Sequence, residues 1–246
     1  MVQLILRDLR TRYRQTLIGV AWGIGRPLAE LAIFVFVFRG VLNAPSDGLP
    51  YPLFAFTGVM LWTLVMGSVA GGIRSITNHA GLVSRVPFNT LTLPIATVGS
   101  ALVDLLVSSL ILVGLMIWYQ VPATWAILGI VPVLVILLTL VAGITILGSA
   151  IHVFYHDLGY ATEIGLRLWQ LGTPLAYAAS AIPAQYRAAY QLNPLVGLFE
   201  ASRNCLLRGV WPTAEQLLYP AVLSLAFLAV GLLVFRATRP FFAESV

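Results

Sequence analysis

EIGLRLWQLGTPLAYAASAIPAQYRAAYQLNPLVGLFEASRNCLLRGVWP, residues 163–212, is the stretch that decides the fold. Its first part, Ile164 to Ile182, is apolar enough to span a hydrocarbon core that takes roughly 20 helical residues. Steps of three and four nevertheless bring Glu163, Arg167, Gln170, Thr173, Pro174 and Tyr177 into a narrow arc at about 100° per residue. Such a stripe predicts a face turned to protein or water, not lipid. After Pro183 come Ala184 to Leu192 and Pro194 to Arg208, each too short to cross a bilayer. They are predicted as two re-entrant half-helices, the second capped by Asn193, opened by Pro194 and ended by Gly209 and Pro212. On that second piece Leu195, Leu198, Phe199, Ser202, Cys205 and Leu206 share one face. Glu200, Arg203, Asn204 and Arg208 are expected on the opposite, water-facing side.

Working outward, the 246 residues are 59% hydrophobic and 9% charged, with a mean hydropathy of +0.93 and apolar residues in several long runs. That composition predicts an all-α polytopic membrane protein. All 14 basic residues are Arg. Without a Lys no G-x-x-x-x-G-K-[ST] phosphate loop can form, so nucleotide-driven work has to come from a partner chain. The single Cys205 excludes an intrachain disulfide. The net charge of +5 is read through membrane topology and not as affinity for nucleic acid.

In order, residues 1–16 form a predicted interfacial amphipathic helix. Val2, Ile5, Leu6, Leu9 and Tyr13 lie on its apolar face, and Arg7, Arg10, Arg12 and Arg14 on its flanks, suited to membrane lipids. A signal peptide is the alternative, against which stand the length of the following apolar run and the lack of a cleavage site. The first span, Leu17 to Phe38, has its own polar stripe, including Trp22, Arg26 and Glu30, the last two one turn apart and able to pair. A turn-rich loop, Arg39 to Pro50, leads to a second span over Leu53 to Gly72. A polar stretch with Arg74, Asn78, His79 and Arg85 follows. Spans three to six are expected at Leu93–Tyr119, Trp125–Ile151, Ile164–Ile182 and Leu217–Phe235. The arginine distribution puts both termini in the cytoplasm.

One pattern suggests catalysis. His152 and Asp157 make an H-x-x-x-x-D acyltransferase-like pair, and His152 and His156 stand at metal-ligand spacing, but no acid cluster completes a metal shell. An interfacial loop is preferred there, and no catalytic residue, metal or cofactor is assigned. Asp104, alone in its spans, serves either helix-to-helix hydrogen bonding or a proton site.

Residues Arg7 to Trp22 (RDLRTRYRQTLIGVAW), Pro52 to Gly58 (PLFAFTG) and Leu192 to Leu195 (LNPL) resemble the membrane subunit of bacterial polysaccharide ABC exporters of the O-antigen type, over nearly the whole chain in order. The resemblance implies one ABC-2 type transmembrane domain over 1–246: spans one to five in 17–182, exoplasmic gate half-helices in 183–212, and span six with a cytoplasmic tail in 213–246. It implies a second copy of the chain, two copies of an ABC ATPase subunit, and a glycan on undecaprenyl diphosphate as cargo. Capsule, teichoic acid, lipo-oligosaccharide or a small lipid are the alternative cargoes; a lipid-modifying enzyme and a proton-coupled carrier are the alternative classes. The pore-lining residues so implied are Trp22, Arg26, Glu30, Arg167, Trp169, Gln170, Thr173 and Tyr177, with Trp62 as a further aromatic face for sugars. The exit gate takes Pro183, Tyr186, Arg187, Tyr190, Asn193, Pro194, Glu200 and Arg203. The ATPase contact takes Arg7, Arg10, Arg12, Arg14, Asn78, His79 and Arg85.

Overall fold

The computed structural model describes residues 21–83 and 88–242, without the side chains of residues 21–24 and of Arg26. Arg7, Arg10, Arg12, Arg14 and Arg85, the interfacial helix, and the side chains of Trp22 and Arg26 lie outside the described residues. Every regular element among the described residues is helical. They are α1 (Ala21–Phe34), α2 (Tyr51–Ile73), α3 (Thr92–Trp118), α4 (Ile130–His152), α5 (Leu158–Leu171), α6 (Ala184–Gln191), α7 (Pro194–Arg203) and α8 (Ala214–Thr238). A π-turn, Val35–Val41, extends α1; a 3-10 turn, Trp125–Gly129, leads into α4; a second π-turn, Asn204–Arg208, extends α7. Thr77–His79 and Ala80–Val83 are short helical turns.

Four helices among the described residues are long and apolar enough to cross a membrane: α2, α3, α4 with its leading turn, and α8 with its trailing one. These are the second, third, fourth and sixth spans of the sequence. The described part of the first span is α1 and its π-turn. The fifth departs from expectation: α5 stops at Leu171 after 14 residues, well short of Ile182. Gly172 interrupts the helix there, and Pro174 follows with no N–H to give to it.

The centre of the bundle is α2, which packs on α3 and α4, while α8 lies along α4. Apolar side chains gain little by leaving lipid tails, so close backbone approach and dispersion hold such helices together. At the α4–α8 crossing a Cβ on Gly143 would meet the Leu228 nitrogen at 2.5 Å, and one on Gly231 the Gly143 carbonyl at 2.8 Å. Only hydrogen fits on either side. Exposed aromatics mark both ends of the bundle: Trp118, Trp125 and Trp211 at one, Tyr155, Tyr160 and Phe241 at the other. Amphipathic rings collect in this way at membrane–water boundaries.

Candidate functional site: a helix break held by side chains

Ending α5 at Leu171 strands backbone groups, those of Pro174, Leu175 and Ala176 in buried positions, and each such group costs several kcal/mol in a hydrocarbon setting, about 4–8 for an amide moved to an alkane. The structure answers them one by one. The Tyr177 hydroxyl donates to the Leu171 carbonyl at 2.7 Å. The Asn193 amide donates to the Gly172 carbonyl at 2.8 Å and to the Thr173 hydroxyl at 3.1 Å. Arg203 donates through Nη2 to the Pro174 and Leu175 carbonyls, the latter at 3.0 Å. The Tyr51 hydroxyl takes the Ala176 carbonyl at 2.7 Å, and the Ala178 N–H donates to the Pro45 carbonyl at 3.3 Å.

Asn193 is the hub of this arrangement. Its amide oxygen accepts from the Leu195 N–H at 3.0 Å, the cap expected from the sequence, and also from Trp169 Nε1 at 2.9 Å. Asn193 thereby joins the last turn of α5, the break and the start of α7. Pro194 occupies the first turn of α7, and Gly209, at φ +69°, ends its π-turn in the left-handed region.

Arg203 corrects the sequence reading most sharply. Expected on a water-facing side, it is 2% exposed. Its guanidinium carbon lies 3.6 Å from the centroid of the Phe54 ring, and Nε donates to the Phe54 carbonyl at 3.3 Å. Among the described residues no carboxylate stands within ion-pair distance of it. The charge is met at close range by carbonyl dipoles and by the face of an aromatic ring, with Glu200 as an attractive charge beyond ion-pair distance. The reason lies in packing: Arg203 follows Phe199 by one turn and therefore sits at the edge of the apolar face, against α2 and the break. The apolar face rests on α2, α4 and α8.

Gly58, the last residue of the PLFAFTG motif, makes room for this. A Cβ there would stand 2.8 Å from the Leu175 carbonyl and 2.9 Å from Arg203 Nη2. Tyr51, Phe54 and Gly58 thus present three features of α2 to one buried point, and sequence reasoning missed Tyr51 and Gly58 as partners of the break. A tyrosine at the first turn of an apolar span was the available signal, because its hydroxyl needs a partner once buried.

The remaining expected residues sort as follows. Thr173 is fully buried and bonded to the Trp169 carbonyl, so it is withdrawn from any open face. Trp62 is 3% exposed, edge-on to half-buried Trp169 with centroids 6.2 Å apart, and so offers no free face. Arg167 is exposed, Gln170 and Glu30 are half-buried, and Pro183 and Tyr186 are exposed. Tyr177 and Tyr190 meet through their hydroxyls at 3.3 Å. Burial, and then that bond, push the Tyr190 phenol above its usual range, so it stays protonated. Arg187 donates to the Ile182 and Ser180 carbonyls. Asp47 accepts from Ser180 at 2.6 Å and stands 3.9 Å from Arg208, tying the Arg39–Pro50 loop to the same end of the bundle.

At the other end Arg74 pairs with Glu163 at 2.8 Å and lies over Tyr160. Asn78 is exposed and half-buried His79 holds the Ser75 carbonyl. His152 is 5% exposed and forms no ion pair with Asp157 within 4 Å, and no cluster of three metal-ligating residues occurs among the described residues. The catalytic pattern of the sequence is not assembled.

Long apolar helices, an aromatic belt at each end and an interrupted helix sealed by side chains define a polytopic membrane protein whose special construction lies at the Asn193 end. The chain belongs to the ABC-2 type transporter family, whose model it matches over residues 1–207. It is 29% identical to the O-antigen export system permease protein RfbA of Myxococcus xanthus over 250 residues, covering 100% of this chain and 95% of that protein. Against RfbA of Klebsiella pneumoniae the identity is 25% over 239 residues, covering 97% and 91%. Against the polysialic acid transport protein KpsM of Escherichia coli it is 25% over 246 residues, covering 95% and 91%.

Proposed function

We propose that this chain is the membrane-spanning subunit of an ATP-driven exporter that moves a carrier-linked polysaccharide of the O-antigen kind outward across the bacterial inner membrane. The observation that carries this is likeness along the full chain to proteins named as O-antigen export permeases and a polysialic acid transporter. The chain itself has no Lys for a nucleotide loop, so an ABC ATPase supplies the energy, two copies serving two copies of the permease. Both termini face the cytoplasm, with six spans in the order given by the sequence and α6 and α7 dipping in from outside. The carrier is undecaprenyl diphosphate.

The mechanism rests on differential binding. ATP-driven closure shifts the permease only if the ATPase grips its two states unequally. The N-terminal arginines and the turns at Asn78 and His79 are the points of grip. Arg167, Gln170 and Trp169 of α5, with Trp22, Arg26 and Glu30 of the first span, line the path. The α6–α7 unit, with Tyr186, Arg187, Tyr190 and Glu200, is the outer gate. Arg203 holds that unit to α2 and the break so that the two move together.

In a strain deleted for its own O-antigen export permease, co-expression of this chain with an ABC ATPase that co-purifies with it is expected to restore surface polysaccharide. Restoration without the ATPase, or none with both proteins present in the membrane, contradicts the proposal.

A further inference from the structure

Resting on the export reading, we propose that the cleft between α6, α7 and the first turns of α8 is a binding subsite for a neutral saccharide. The cavity measures about 450 Å³, within the 300–1,000 Å³ usual for small-molecule sites. Tyr190 and Arg187 come from α6, Glu200 from α7, and Glu215 and Tyr219 from α8.

The two tyrosines are fixed before any ligand arrives. Tyr219 donates its hydroxyl to the Leu192 carbonyl at 2.7 Å, and Tyr190 is tied to Tyr177. With their hydroxyls engaged, the rings remain as rigid apolar surfaces, suited to the C–H face of a pyranose at little cost in side-chain entropy. The carboxylates are in the opposite condition. Among the described residues no donor lies within hydrogen-bond distance of Glu200 or Glu215, so four oxygens are free to accept from sugar hydroxyls. Arg187 holds the Ile182 and Ser180 carbonyls through Nε and Nη2 and keeps Nη1 for a ring or hydroxyl oxygen.

Charge sets the class of sugar. Among the side chains that line the cleft, two carboxylates stand against one guanidinium, a net negative wall that disfavours an acidic glycan and a phosphate headgroup alike; Arg203, which interacts with Glu200, is fully buried and not part of that wall. Apolar ligands are excluded for the converse reason, because they would cover free carboxylates without pairing them. The cleft takes its wall from the first turns of α8, which follow directly on exposed Trp211 of the aromatic belt at that end.

The test uses the permease–ATPase complex in lipid nanodiscs and saturation-transfer NMR with two probes, mannotriose and a trimer of sialic acid. Mannotriose is expected to receive magnetisation and the sialic trimer not. Glu200→Gln is expected to weaken mannotriose binding about tenfold, since a charged acceptor is lost. The Glu200→Gln, Glu215→Gln double variant is expected to admit the sialic trimer. Glu215→Gln alone, at an exposed first turn of α8, provides a weaker change of the same sign should the double variant fail to assemble. Equal binding of both sugars, unchanged mannotriose binding in the variants, or displacement of mannotriose by phosphatidylglycerol overturns the inference. Absence of mannotriose binding in a complex that still exports polysaccharide overturns this subsite alone. Mannotriose binding by a complex that exports nothing keeps the subsite and overturns the export reading.

Discussion

Arg203→Met is expected to lower surface polysaccharide at least tenfold and to destabilise the purified complex by several kcal/mol. Methionine fills much of the same space and removes the expense of burying a cation, so the sign has to be argued. The carbonyls of Pro174 and Leu175 remain, buried and without a donor, while that of Phe54 keeps only its partner within the helix. Each orphaned group costs about 1–3 kcal/mol, and water cannot enter to compensate. Replacing a whole buried network by apolar groups can be neutral; removing one member of it is not. At about 1.4 kcal/mol per factor of ten, losing two partners shifts the break from closed to open by roughly two decades. Arg203→Lys separates charge from geometry. An ammonium keeps the cation but lacks the planar fork that reaches Phe54 on one side and Pro174 and Leu175 on the other. An intermediate loss is expected for Lys, and equal activity of Lys and Arg at this position contradicts the account. The measurements are thermal unfolding of the complex and surface polysaccharide in the deletion strain.

The second large effect is expected at Gly58. A single methyl in Gly58→Ala would sit 2.8 Å from the Leu175 carbonyl and 2.9 Å from Arg203 Nη2, where neither a backbone oxygen nor a guanidinium held at both ends can retreat. Overpacking of this kind costs about 1–3 kcal/mol, and Gly58→Val more. Gly71, in the same helix, is the control. A Cβ there meets nothing within 4 Å, so Gly71→Ala is expected to be neutral or to gain up to about 1 kcal/mol from helix propensity. Because Gly58 and Arg203 touch the same carbonyl, the double variant Gly58→Ala, Arg203→Met should cost less than the sum of the two singles. Strict additivity in thermal unfolding would show that the two residues act separately.

The parts of this fold that could be read from the sequence are those written in local chemistry. The cap at Asn193, the proline at 194, the stop at Gly209 and the lengths of α2, α3, α4 and α8 all rest on neighbours within a turn or two. The end of α5 was only half visible. Ile164 to Ile182 is apolar enough to span despite its polar stripe, and Thr173-Pro174 is compatible with a kinked span as well as with a broken helix. What decides for a break is a set of donors from elsewhere in the chain: Tyr51, Asn193 and Arg203. Periodicity cannot report such partners, which lie 20 to 125 positions away. Arg203 shows the limit most clearly. Helical arithmetic groups it with Glu200, Asn204 and Arg208, yet it is equally one turn from Phe199, and tertiary carbonyls choose between the two faces. Glu215 and Tyr219 were invisible as site residues for a similar reason. They open the last span, and only the packing of α8 beside α6 and α7 turns them into a wall.

The central claim is that α6 and α7 form a folded unit, pinned at Arg203 and Asn193, that moves during transport. Thiol accessibility from outside the cell tests it most directly. Cys205 is fully buried, its Sγ against the Ala201 carbonyl, while neighbouring Asn204 is half-buried and bonded to exposed Arg208. A membrane-impermeant maleimide is expected to label Cys205 poorly and Asn204→Cys, in a Cys205→Ser background, readily. ATP turnover by the partner is expected to change the rate at one or both positions. Equal labelling at both positions, unaffected by turnover, would mean a static lid and would contradict the account.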